Sequence, residues 1–158
     1  MSQLHIDEFY HDAGCILASL YDVFPRKNTV YVEDISGDDE PDEFGLHSPR
    51  HLACLAAMTW LADQHYIRYD QLIRHEAMEA ATLTEKAFLV LTSPSQLADE
   101  EAPEDISGLP PLARQNFTTN IAILKMALKS RDSAKINRIM QRIMVESANY
   151  PTKVQPAV

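Results

Sequence analysis

The sequence predicts a mainly α-helical fold with one small β-hairpin, an α+β class, ending in a C-terminal helical hairpin. Apolar residues recur at intervals of three and four over most of the chain, as one face of a helix requires. β-branched and aromatic residues gather in a few short runs only. Glycine is scarce, at 4 residues, and most of the 9 prolines stand at apparent element boundaries, which suits helices better than a sandwich or barrel.

The elements follow in order. Ile6, Phe9, Tyr10, Ala13, Ile16, Leu17, Leu20 and Phe24 keep the helical interval, so a first amphipathic helix spans them. Asp7 and Glu8 suit its dipole, and Pro25 turns Phe24 away from helical angles. Thr29-Val30-Tyr31-Val32 reads as a short strand. Residues 34–47 are rich in Gly, Pro and acid and predict an exposed loop, anchored at its far end by Phe44 and Leu46. Ser48-Pro49 opens a helix to about residue 64, with a capping hydroxyl before a proline at the first helical position. Residues 66–69 and 80–83 predict two strands joined by a turn near 74–78. Thr84 caps a short helix, 85–91, with Phe88 and Leu91 toward the core.

Residues 92–111 carry Asp99, Glu100, Glu101, Glu104 and Asp105, are broken by Pro94 and Pro103, and close on Pro110-Pro111. With no apolar period they form an acidic, Pro-rich linker. Two helices follow, about 112–130 and 133–148, with Asp132-Ser133 as break and cap. Ile136, Ile139, Met140, Ile143 and Met144 fit the helical template fully. Residues 149–158 form a tail.

Charge is divided along the chain. Residues 1–110 hold 6 Lys/Arg against 21 Asp/Glu, a net of −15, and residues 111–158 hold 8 against 2, a net of +6. The acidic body repels phosphate and disfavours unspecific binding to nucleic acid or anionic membrane. The longest near-apolar run, 52–62, is too short to cross a bilayer. The N-terminus lacks the basic and apolar regions of a signal peptide, so a cytoplasmic protein is expected. Cys15 and Cys54 stand in apolar helical runs without a CxxC pair and are expected buried and reduced.

The stretch MTWLADQHYIRY, followed after the hairpin by ATLTEKAFLVL, resembles the winged-helix pattern of MarR- and PadR-like regulators. The matching positions are Trp60, Leu61, Tyr66 and Ile67, then Leu83, Thr84, Lys86 and Phe88. The whole arrangement also resembles uncharacterised bacterial proteins that join a winged helix to a C-terminal helical pair. The resemblance implies a winged-helix-like domain over 1–91, then the linker at 92–111 and a basic amphipathic helical pair at 112–148. It also implies DNA binding as one reading of function. Two departures oppose that reading. Asp38, Asp39, Glu40, Asp42 and Glu43 occupy the place of the leading helix. The presumed recognition helix is apolar all round over 52–62, is expected buried all round, and lacks groups to read base edges.

Candidate sites follow from cation and histidine placement. Arg50, His51, Arg68, Arg74 and His75 could gather at a helix start and hairpin as an anion or nucleic-acid patch, or pair with the acidic loop instead. Lys125, Lys129, Lys135, Arg138 and Arg142 could form a basic surface, or face the acidic body. Ile136, Ile139, Met140 and Ile143 are the candidate oligomer interface, with the apolar helix 48–64 as a second one. His47 and His51 are four apart, as zinc ligands on a helix would be, but the helix start lies between them. No metal site and no cofactor is expected. No GxSxG, HExxH or phosphate-cradling loop occurs, so an enzyme is not expected. The expected function is protein–protein contact, as a homodimer or with another protein. A winged-helix transcription regulator is the alternative.

Overall fold

Leu4–Val23 forms α1, whose Ala13, Ile16, Leu17 and Leu20 are buried. It ends where Phe24, before Pro25, takes extended angles. A computed structural model describes residues 3–102, 106 and 108–150. Residues 103–105 and 107 of the expected linker, and the tail beyond residue 150, lie outside the described residues.

After α1 comes β1 (Asn28–Tyr31), then an unexpected short helix, α2 (Val32–Ser36). The predicted strand stops one residue early. The Val32 N–H still bonds the Glu76 carbonyl at 2.9 Å, while Glu33 and Asp34 fill the first helical turn, where carboxylates are favoured. The loop expected over 34–47 therefore starts after Ser36. Next is α3 (Pro49–Asp63), capped by Ser48, whose hydroxyl accepts from the His51 N–H.

Strands β2 (Ile67–Arg68) and β3 (Gln71–Ile73) lead to β4 (Ala77–Leu83). All pairings are antiparallel, with β4 between β1 on one side and β2 and β3 on the other. The hairpin tip is Arg74-His75, both left-handed at φ 48° and 60°, the backbone of a two-residue type I′ turn. The expected class holds at this level: a mainly helical domain with one small, open antiparallel sheet.

Thr84 caps α4 (Glu85–Thr92), and Phe88 stacks on Phe24 at 4.4 Å. The expected linker has structure. Pro94 bridges Thr119, α5 (Ala98–Glu101) follows, and Leu97 and Ala98 pack on the core. The helix expected over 112–130 is broken into α6 (Pro111–Thr118) and α7 (Asn120–Ser130). Thr119 is extended between them, and its hydroxyl caps Ala122.

α8 (Ser133–Ser147) turns Ile136, Ile139, Met140 and Ile143 inward. It packs against α1, α7 and α4, in the same buried cluster as α1, α3 and the sheet. The oligomer interface expected at these four residues is therefore the chain's own interior, not a face open to a second copy. Close approach of the α7–α8 pair to α1 is possible because α1 has Gly14 beside Leu124 of α7 and Met140 of α8. A Cβ at that position would sit 3.2 Å from Leu124 Cδ1.

Polar ties fix this docking. Buried Asn120 donates to the Val90 carbonyl and to Glu146, each at 2.9 Å. Tyr66 and Ser147 share a hydroxyl hydrogen bond of 2.7 Å. Asn120→Ala would leave the Val90 carbonyl only its longer bond from the Ser93 N–H and weaken the support of buried Glu146. A loss of about 1–3 kcal/mol is expected by urea unfolding. Lys125→Ala, which removes an exposed ion pair with Asp22, should change stability by about 0–1 kcal/mol.

Candidate functional site

The polar chemistry gathers at the N-terminal end of α3. Asp39, from the acidic loop, accepts from the Ser48 N–H at 3.2 Å and from His47 Nδ1 at 2.7 Å. Hydrogen bonding from the Ser48 side chain, then from His47, holds the Asp39 carboxyl below the usual carboxylate range although burial works against it. His47 lies outside α3, as the Ser48-Pro49 start requires. The turn nevertheless folds its ring onto His51, with centroids 3.8 Å apart and planes within 7°.

His51 is 0% exposed. Its Nε2 donates to the His75 carbonyl at 2.9 Å, which ties α3 to the left-handed hairpin tip. Its Nδ1 lies 3.6 Å from Asp39 Oδ2 and has no hydrogen-bond partner. Asp39, His47 and His51 thus present three potential metal-ligand atoms within 4.8 Å of one another.

On the α1 side, Arg50 donates to both carboxylate oxygens of Asp12, at 2.6 and 2.7 Å, and Asp12 is 0% exposed. Burial alone would push the Asp12 carboxyl up; hydrogen bonds from Arg50, then His11, outweigh it and hold it below its ordinary value. His11 Nδ1 sits 3.0 Å from Asp12, and His11 Nε2 sits 3.5 Å from Cys15 Sγ. Those two hydrogen bonds, the one to Asp12 first, push the His11 imidazole up to about 10. Arg50, His11 and Cys15 border a cleft of about 630 Å³ lined also by Asp7, Glu8 and Arg131.

Thiol, imidazole and carboxylate in file are the parts of a nucleophilic triad. Here they are neighbours in the middle of one helix, whose N–H groups at that point serve its own ladder. Cys15 is only partly buried, contrary to expectation. Cys54 is buried, and desolvation pushes its thiol up to about 12.

The expected cation patch is only partly brought together. Arg50 and His51 reach the α3 start, but Arg50 is engaged by Asp12 of α1 rather than by the loop. The side chains of Arg68, Arg74 and His75 are exposed on the hairpin. In the C-terminal pair, Lys125 meets Asp22, Arg138 meets Glu100 and Glu101, and Arg142 meets Glu146; Lys129 and Lys135 are exposed. Phe44 and Leu46 do not anchor the loop, being 79% and 64% exposed. Asp42 does so by accepting from the Phe44 and Leu46 N–H groups at 2.9 Å each.

Sequence reasoning passes over Asp12 and names Asp39 only as one of five loop carboxylates. Asp12 lies three residues after Phe9 and four before Ile16, on the apolar face of α1, and a carboxylate there demands a buried cation. Asp39 carried no such signal among its acidic neighbours.

The outer face of α3 differs from expectation as well. Leu52 is 50% and Trp60 38% exposed, with Ala53 and Ala56 exposed beside them. The helix is apolar all round but buried on one side only. No protein-family model, no curated protein and no solved structure matches the chain.

Arg50→Ala takes both guanidinium hydrogen bonds from the buried Asp12 carboxylate and leaves it only His11. A loss of about 3–5 kcal/mol is expected by urea unfolding. His11, raised in the folded state, contributes stability that is complete below its unfolded value of about 6.5 and fades as pH rises through about 10. Asp12 has the opposite sign: its contribution is present above about pH 4 and is lost as pH falls through its lowered folded value. Unfolding free energy measured against pH should therefore decline on the alkaline side, and His11→Gln should flatten that decline.

Proposed function

We propose that this chain is a non-enzymatic, cytoplasmic winged-helix protein that works through protein–protein contact, with the outer face of α3 as its contact surface and a second copy as the occupant. The single observation carrying this is the exposed row of Leu52, Ala53, Ala56 and Trp60 on α3. Trp60 is braced edge-on by Phe9 at 5.1 Å, so it offers a rigid aromatic anchor of the kind that dominates binding interfaces. An acidic body repels its own copy along charged faces, and this row bears no charge. The same patch on two copies makes a closed two-fold contact.

The alternative, a winged-helix DNA-binding regulator, would use the exposed Arg68 and Arg74. It is opposed at α3, where direct readout needs side chains that reach base edges. The outward positions 52, 53, 56, 59, 60 and 63 hold Leu, Ala, Ala, Thr, Trp and Asp, and the Thr59 hydroxyl already donates to the Ala56 carbonyl.

Sedimentation equilibrium over a wide concentration range tests the reading. A dimer is expected, converted to monomer by Leu52→Glu with Ala56→Glu while the far-ultraviolet spectrum stays unchanged. A monomer at every concentration ends the self-association reading. Salt-sensitive binding of a duplex, lost with Arg68→Ala and Arg74→Ala, would put the regulator in its place.

A further inference from the structure

We propose that Asp39, His47 and His51 form a binding site for a divalent transition-metal cation of the zinc type. The three ligand atoms already lie within 4.8 Å of one another. The parallel stack aims both histidine Nδ1 atoms at one carboxylate oxygen, Asp39 Oδ2, at 2.7 Å from His47 and 3.6 Å from His51.

The decisive feature is His51 Nδ1. A carbonyl only accepts, so the His51 Nε2 that faces the His75 oxygen carries the proton. In the neutral ring, Nδ1 then presents a lone pair, without a donor, in a fully buried side chain. That lone pair faces a carboxylate oxygen, and two acceptors facing each other in a closed site call for a cation between them. An imidazole whose other nitrogen is anchored on a backbone carbonyl is also the usual supported form of a metal-ligating histidine. The anchor fixes tautomer and ring direction in advance.

The distances fit once one ring turns: the nearly parallel rings hold their lone pairs in separate planes, so the partly exposed His47 must tilt toward the ion. A tetrahedral ion about 2.0–2.2 Å from each ligand holds them about 3.4 Å apart, so the His51–Asp39 gap is already suitable and the His47–Asp39 gap widens by about 0.7 Å. As the ion enters, the Nδ1 proton of His47 is displaced and the ring is protonated at Nε2 instead. The His47 side chain is 17% exposed, which gives that nitrogen a route to solvent.

Two imidazoles and one carboxylate select zinc and its neighbours over calcium and magnesium, which prefer oxygen shells. Three protein ligands leave a fourth position for water. The bound ion would clamp the acidic loop onto the first turn of α3. This site does not depend on what the outer face of α3 contacts.

The test is calorimetric titration of the full untagged chain with Zn²⁺ and with Mg²⁺, joined to visible absorption with Co²⁺. One equivalent of Zn²⁺ should bind, with affinity reduced at least about tenfold by His47→Ala and by Asp39→Asn and unchanged by Cys15→Ala. Mg²⁺ should give no saturating heat, and Co²⁺ should show tetrahedral bands without a thiolate charge-transfer band. His47 is partly exposed and Asp39→Asn is isosteric, so circular dichroism of each variant distinguishes a lost site from a lost fold. Absence of saturating Zn²⁺ binding overturns the proposal. So does binding that survives both variants, or that is abolished by Cys15→Ala, which would place the ion on His11 and Cys15.

Discussion

A carboxylate with no exposed surface has to be paired and fully hydrogen-bonded, and Asp12 is such a carboxylate. Arg50 answers it with two bonds at once, and a two-pronged guanidinium–carboxylate contact fixes direction as well as distance. It joins the middle of α1 to the first turn of α3. Once Arg50 is aimed at α1, the rotation of α3 is set. His51 turns inward to the His75 carbonyl, Cys54 and Met58 follow into the core, and Leu52, Ala56 and Trp60 are left outside. The inward polar cluster and the outward apolar row are therefore two results of one ion pair.

The charge division of the chain is resolved by docking, and the magnitudes show which force governs it. Four large side chains of α8 are almost wholly buried, each worth about 1.5–3 kcal/mol on removal from water. The exposed pairs of Lys125 and Arg138 with the body contribute about 0–1 kcal/mol each. The apolar stripe holds the basic pair in place, and the cations then lie over acidic groups of the body. Asn120, Glu146, Tyr66 and Ser147 add little net energy but accept few alternative partners, so they fix the position of α7 and α8 along the body.

What could be read from the sequence was what local chemistry decides. Ser48-Pro49 and Thr84 announce their helices because capping needs those residues at those positions. The stripe of α8 is legible because its period coincides with its burial. The break at Thr119 was not legible, since it depends on a bridge to Pro94, distant in sequence. The face of α3 was misread because periodicity gives direction only when polar residues mark the far side, and α3 has almost none. His47 and His51 have the spacing of a helical pair, but the Ser48-Pro49 helix start lies between them. A turn that folds back can bring together what the helix start separates, and Asp39 is what holds that turn.

The acidic loop carries this last point further. Its order comes from carboxylates that accept backbone N–H groups, Asp39 at Ser48 and Asp42 at Phe44 and Leu46, and not from apolar anchoring. Its apolar side chains are consequently turned outward. A loop held by polar contacts, with Phe44 and Leu46 unburied, shares its character with α3, whose outer row is also fixed from behind and apolar in front. Ordered backbone with exposed apolar side chains is costly to leave in water and favourable to cover. Protein contact draws on that combination, whereas reading of a nucleic acid requires its opposite: cations and hydrogen-bonding groups on the outward face.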